Sequence, residues 1–127
     1  VIVKNIERIG DHAVTLAQDA IDIKKPIKGK IMISIEKMNE FALTAIDNTC
    51  LALFKNDYLE AENAIKESNN IKKYEDDVLK ALDQSKNSAE VFRVRRIAEN
   101  IRRIAEYASD IGEIVLNMNI EKVINKK

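Results

Sequence analysis

Asn5-Ile6-Glu7-Arg8-Ile9-Gly10-Asp11-His12-Ala13 has a relative near the other end of the chain, Asn100-Ile101-Arg102-Arg103-Ile104-Ala105-Glu106-Tyr107-Ala108. Aligned, Asn5 falls on Asn100, Ile6 on Ile101, Arg8 on Arg103, Ile9 on Ile104 and Ala13 on Ala108, and the pattern continues with Leu16 on Ile111. Glu7 meets Arg102, and Asp11 meets Glu106. An internal repeat outranks other signals because it dictates how many units of one kind the fold contains. Both copies place apolar residues in alternating steps of three and four, the period of one helix face. Two helices of one plan are therefore expected. On the first, the carboxylates of Glu7 and Asp11 stand one turn apart.

Outward from the first copy, Ile2, Ile6, Ile9, Ala13, Leu16, Ala20 and Ile23 form an apolar seam that predicts a helix over residues 2–24. Lys24 and Lys25 suit its C-terminal end, and Pro26 blocks continuation. The basic link Lys25–Lys30 is too short for a domain boundary, so the next helix should run back antiparallel. That helix is expected over residues 31–55, with Ile35, Met38, Ala42, Ala45, Thr49 and Ala52 as its seam. Phe41, Ile46, Cys50 and Leu53 widen the face, which makes Cys50 a candidate buried thiol. Asp57-x-x-Glu60 resembles a capping box that opens a third helix over residues 58–84.

The third helix is irregular. Its seam runs from Tyr58, Ala61 and Ile65 onto Ser68, Lys72 and Glu75 before recovering Leu79 and Leu82, while Ile71, Tyr74 and Val78 offer another face. Two readings stand, a rotated helix and a polar site in mid-helix. After the turn-forming Ser85-Lys86-Asn87-Ser88, a fourth helix is expected over residues 89–123. Val94, Ile97, Ile101, Ile104, Ala108, Ile111, Val115 and Met118 hold its rhythm without a break, and the tail from Asn125 to Lys127 should fray. Four rods joined by short links predict an all-α protein, an antiparallel bundle of four long helices.

Composition agrees. The 127 residues suffice for one core, and 46% hydrophobic and 33% charged residues with 3 Gly and 1 Pro favour long helices. Equal counts of basic and acidic residues, 21 each, give no bulk reason to expect nucleic acid as a partner. The single Cys50 excludes an internal disulfide and suits a reducing, cytoplasmic setting. No apolar run approaches the ~20 residues of a membrane span, and no signal peptide is visible.

Glu7-Arg8-Ile9-Gly10-Asp11 resembles the ExxxD signature on the third helix of each three-helix repeat in the PhoU family, regulators of phosphate uptake with two such repeats per chain. Ala98 to Glu113 resembles the matching helix of the second repeat. The resemblance implies that residues 1–25 are the last helix of a first repeat and 26–127 a whole second repeat. The absence of an initiator Met at Val1 fits a fragment. It further implies protein–protein contact with a phosphate ABC transporter or a sensor kinase, a homo-oligomer, and no catalysis.

Some members of this family bind metal clusters, which implies a divalent metal or iron at Glu7 and Asp11, and more weakly at Glu106 and Asp110. The second copy departs from the pattern. Arg102 replaces the first carboxylate, and Lys72, followed by Asp76 one turn later, stands where the facing helix commonly has an acid. One reading is an ion-pair network in place of a metal; the other is a solvated face of weak i, i+4 pairs. Likewise, Arg93, Arg95, Arg96, Arg102 and Arg103 form either a docking surface for an acidic partner or a balanced outer face.

Other chemistries lack parts. A ferritin-like di-iron centre needs Glu-x-x-His, but His12 is the single His and Ile9 precedes it by three, so His12 reads as a rim residue. No Gly-rich phosphate loop is present. A carboxylate-based metal-binding bundle and a ligand-free helical oligomerisation module remain as alternatives to the regulator.

Overall fold

The computed structural model describes residues 2–27 and 29–125, and among them every regular element is an α-helix. The elements are α1 (Ile2–Ile21), α2 (Gly29–Lys55), α3 (Tyr58–Ser68), α4 (Ile71–Leu82) and α5 (Ser88–Asn125). They form four rods, the third of which is broken into α3 and α4 at Asn69 and Asn70. Lys126 and Lys127, expected to fray, lie outside the described residues.

α5 is the axis of the molecule, in contact with all four other helices. Its seam is buried as its spacing demands from Val94 to Val115, and only Met118, 43% exposed, escapes. The α2 seam is buried at all six expected positions, Ile35, Met38, Ala42, Ala45, Thr49 and Ala52. Complete burial of Met38, Val78, Val94 and Val115 contributes about 1.5–3 kcal/mol each. Small residues let the helices close up. A Cβ on Gly112 would lie 3.3 Å from Ile65 Cγ1 and 3.5 Å from the Ala61 carbonyl oxygen, so α3 crosses α5 almost backbone to backbone. The Thr49 hydroxyl donates to the Ala108 carbonyl at 3.1 Å and ties α2 to the same stretch of α5.

The links are chemically punctuated. Asp57 sits in an extended conformation, and its side chain accepts from the backbone N–H groups of Leu59 and Glu60, as the capping signal predicted. Asn56 just before it takes a left-handed φ of 52°, which Asn tolerates better than most residues. Gly29 opens α2 at φ 66°, a conformation that favours glycine. Asn87 caps α5 by accepting from the Glu90 N–H at 3.2 Å.

Three expectations are corrected. The α1 helix stops at Ile21 rather than residue 24, and its proposed seam is split. Ile2, Ile9, Leu16 and Ile23 turn inward, but Ala13, Ala20 and Ile6, which is 52% exposed, face out. The residues α1 buries fully are Asn5 and Asp19. The cause is that α1 packs chiefly on α5 and so has one neighbour where α5 has four. In the third rod, Ser68 and Leu82 of the expected seam are buried, but after the Asn69–Asn70 turn the face between them lies one residue back, on Ile71 and Val78, and Lys72 turns to solvent. Rotation, not a mid-helix polar site, explains the irregular pattern. Finally, Cys50 is exposed, because one residue beyond buried Thr49 a helix has turned by about 100°.

Candidate functional site

Two polar clusters are built on α5, one on each side. On the α4 side lies Arg102, whose side chain is 20% exposed. Its Nε donates to Glu75 Oε2 at 2.9 Å across the helix pair, and its Nη1 donates to Glu106 Oε1 at 2.7 Å one turn along α5. Glu99 stands 3.9 Å from Nη2 on the preceding turn, and Arg103 stands 3.9 Å from the other oxygen of Glu106. Burial alone would lower the Arg102 pKa, but its hydrogen bonds to Glu106 and Glu75 outweigh burial and hold it above its ordinary value. One guanidinium thus gathers three carboxylates from two helices, using the fork geometry that Lys lacks. The expected Lys72–Asp76 pair is a different matter. Both residues are exposed, and among the described residues neither makes an ion pair. Glu75, one position earlier, does the pairing.

The second cluster joins the two copies of the repeat. α1 and α5 run antiparallel, so Asp22 faces Arg93, Asp19 faces Arg96 and His12 faces Asn100. His12 Nδ1 lies 2.8 Å from Asn100 Oδ1, and the Asn100 amide donates to the Arg96 carbonyl at 3.0 Å. The same imidazole stacks on Tyr107 with ring centroids 5.7 Å apart, and the Arg8 guanidinium lies 5.6 Å from the Tyr107 centroid. Asn5 and Asn100, aligned in the repeat, are both buried. Asp19 Oδ1 meets Arg96 at 3.3 Å, while its buried Oδ2 has no partner. His12 is therefore a half-buried structural group at the α1–α5 seam rather than a bare rim residue. The repeat alignment already set His12 opposite Tyr107 and Asn5 opposite Asn100; what the sequence did not reveal is that the two copies face each other.

The predicted metal residues are placed as follows. Glu7 and Asp11 lie one turn apart on the exposed side of α1, with Lys4 3.9 Å from Glu7. Glu106 is engaged by Arg102 and Arg103. Asp110 follows one turn later, and burial together with nearby Glu106 pushes its carboxyl above the ordinary range, with Arg8 pulling partly the other way. Among the described residues, no group of three or more His, Cys, Asp or Glu side chains converges in a way that would hold a metal ion. The pairs Glu7–Asp11 and Glu106–Asp110 therefore do not by themselves fit a multinuclear cluster, which needs many oxygen ligands around each hard cation.

The arginine-rich stretch is mostly spent inside the molecule. Arg93, Arg96, Arg102 and Arg103 all pair with carboxylates of the same chain, and Arg96 also lies over the Phe92 ring. Among the described residues, no helix is long and apolar enough to cross a membrane.

No curated protein and no solved structure matches the chain. The family described as the PhoU domain matches residues 35–115, which takes in most of α2, all of α3 and α4, and α5 through Val115. That span exceeds half of the chain and contains the Arg102 cluster, the small-residue crossings and the second copy of the repeat. The chain belongs to the PhoU family, a family of regulators.

Proposed function

We propose that this chain is a regulator of phosphate uptake that works by binding other proteins. Its partner would be a phosphate ABC transporter or the sensor kinase that reports on phosphate, engaged from the cytoplasmic side. The observation that carries the reading is the PhoU-domain match over residues 35–115. The geometry supports it: the polar clusters are ion-pair and stacking networks that hold helices in place, rather than a set of groups poised around a reacting atom. Co-purification of the chain with transporter and kinase subunits tests the reading. Retention of one of them is expected, and retention of neither would remove it.

The domain organisation belongs to the same proposal. α1, within residues 1–25, would be the last helix of a first three-helix unit, and residues 26–127 would be the second. Two facts support this. The family match starts beyond α1, at residue 35. And the outward-facing Ile6, Ala13 and Ala20 of α1 align with Ile101, Ala108 and Val115, which α5 buries against its own three-helix unit. The pattern on α1 is that of a helix meant to be covered in the same way.

A metal-binding bundle is the competing reading. Exposed Glu7 and Asp11 support it, with the remaining ligands coming from a second copy or from other helices. In the second unit, Arg102 supplies as a side chain the positive charge that a cation would bring. Elemental analysis of the parent and of Glu7→Gln/Asp11→Asn and Glu106→Gln/Asp110→Asn separates the cases. Metal lost only in the first double variant is expected if any metal binds; metal lost only in the second would contradict the charge-replacement account.

A further inference from the structure

The balanced formal charge, 21 basic against 21 acidic residues, hides an uneven distribution of pairing. The arginines of α5 are largely taken by carboxylates, as described above. The lysines are not: among the described residues, Lys4 alone of them makes an ion pair. Three of the others, Lys30, Lys37 and Lys80, line a cleft of about 650 Å³ between the start of α2 and the end of α4. Its walls include Ile31, Ile33 and Tyr74, and its acids are Asp77 and Glu90. The Glu90 carboxylate accepts from the Ser85 hydroxyl at 3.0 Å and keeps its charge, and the three lysines exceed the two acids by one. A smaller cleft of about 310 Å³ on the other side of Glu90 adds Lys24 and Lys25, next to Arg93, which is paired with Asp22. Basic charge without internal partners is therefore concentrated at one end of the bundle, around two concave surfaces.

The shape of the larger cleft narrows the ligand class. It is far roomier than an inorganic anion requires, and Ile31, Ile33, Tyr74 and Ala81 give it apolar walls. Lys30 and Lys37 are seven residues apart on one helix, which sets them ~10 Å apart along its axis. Carboxylates three residues apart on a peptide in the extended polyproline II conformation, which has three residues per turn and rises ~3.1 Å per residue, stand on one face and span nearly the same length. Ile33, 53% exposed between those lysines, offers contact to an apolar side chain standing between the two acids.

We propose that the Lys30–Lys37–Lys80 cleft docks an acidic segment of the protein partner, extended and with apolar residues between its carboxylates. The proposal rests on the regulator reading and names the chemistry of its contact. Opposite charges across such a surface steer encounter and select the partner more than they add raw affinity.

The test uses the whole chain and a short fluorescent peptide with glutamates three apart and leucines between, followed by anisotropy. Two charge-matched variants are compared, Lys30→Glu/Lys37→Glu/Lys80→Glu in the cleft and Lys55→Glu/Lys66→Glu/Lys72→Glu outside it. All six lysines are exposed, so circular dichroism should show both variants folded like the parent. Peptide binding should weaken roughly tenfold or more in the cleft variant and by no more than about twofold in the other, and should fall with added salt. Equal losses in both variants, or no binding by the parent, would overturn the cleft. So would binding to phosphatidylglycerol vesicles in place of the peptide, or full displacement of the peptide by inorganic phosphate at concentrations too low to act as ionic strength. Co-purification with transporter or kinase subunits reads the regulator separately. If the parent and the cleft variant co-purify equally well, the cleft fails and the regulator stands. If neither subunit is retained while peptide binding still depends on the cleft lysines, the regulator fails and the acidic-segment site stands.

Discussion

Two residues on α5 carry the sharpest consequences at the scale of single side chains. Arg102 compensates Glu75, Glu99 and Glu106 at once, and both it and Glu75 are about four-fifths buried at the side chain. Arg102→Ala leaves those carboxylates crowded without a counter-charge and should destabilise the fold by about 1–3 kcal/mol, measured by urea unfolding; partial exposure keeps the cost below that of a fully buried pair. Arg102→Lys should recover only part of the loss, because an ammonium cannot span Nε and Nη1 contacts to two helices. Asp110 behaves the other way. Burial and Glu106 hold its pKa above the ordinary carboxylate value, so the folded state retains that proton more readily than the unfolded state. Its charge therefore opposes folding once pH rises through the carboxylate range. Asp110→Asn should be at least as stable as the parent at pH 7, and the advantage should shrink as pH falls through the raised folded-state pKa and be gone below the ordinary Asp value; a variant less stable than the parent at neutral pH would refute this. Arg102 was legible in the sequence as the odd member of the repeat. Its cross-helix partner Glu75 stood on the expected seam of the third rod, but the pairing itself was not legible, because spacing within one helix does not fix its register against another.

Elements differ in how firmly they are held, and the difference explains what the sequence revealed. α5 packs against four neighbours, so its periodic seam reports burial faithfully, and Ile104, only 7% exposed, sits in the middle of it. Ile104→Asp places an uncompensated charge there and should cost about 3–5 kcal/mol, visible as a large drop in Tm. α1 is the contrast: it buries Asn5 and Asp19 fully, holds to α5 through stacking, hydrogen bonds and ion pairs, and leaves Ile6, Val14 and Ile21 more than half exposed. In hydrogen exchange its amides should protect less than those of α5 between Ile97 and Val115, since local opening tracks how little apolar surface an element buries. Equal protection would mean that α1 is absorbed into the core. Hydrophobic spacing marks which face a helix could bury, and it names the buried face only when a neighbour exists. That is why the α2 and α5 seams were read correctly while that of α1 was split. The third rod failed for a local reason. Asn69 and Asn70, both turn-prone, interrupt the helix, so counting threes and fours across them drifts onto Lys72 when the true face is Ile71.

At the scale of the whole molecule, the outward stripe on α1 and the groove beside it govern behaviour in solution. The groove, about 490 Å³, is floored by Ile97 and Ile101 of α5 and walled by Leu16, Ala20 and Met32. Apolar surface of this kind favours association. The chain should therefore self-associate at high concentration by light scattering, and Ile6→Glu/Ala20→Glu, which charges the stripe, should shift it toward monomer. A parent that stays monomeric throughout would show that α1 and the groove need no cover. The fold class and the family were visible from spacing and from the repeated signature, whereas the break of the third rod into α3 and α4 was not. The distribution of unpaired lysines was not, because the same charged residues read as a balanced surface until their partners are known. The central claim is that a PhoU-family bundle whose polar clusters hold its helices together acts by binding protein. Calorimetric titration of the purified, metal-free chain with the cytoplasmic subunit of the phosphate transporter, and separately with the sensor kinase, tests that claim most directly. The account predicts saturable, stoichiometric binding to one of them without added metal; heat from neither, with binding appearing only when a divalent metal or iron is supplied to the chain alone, would contradict it.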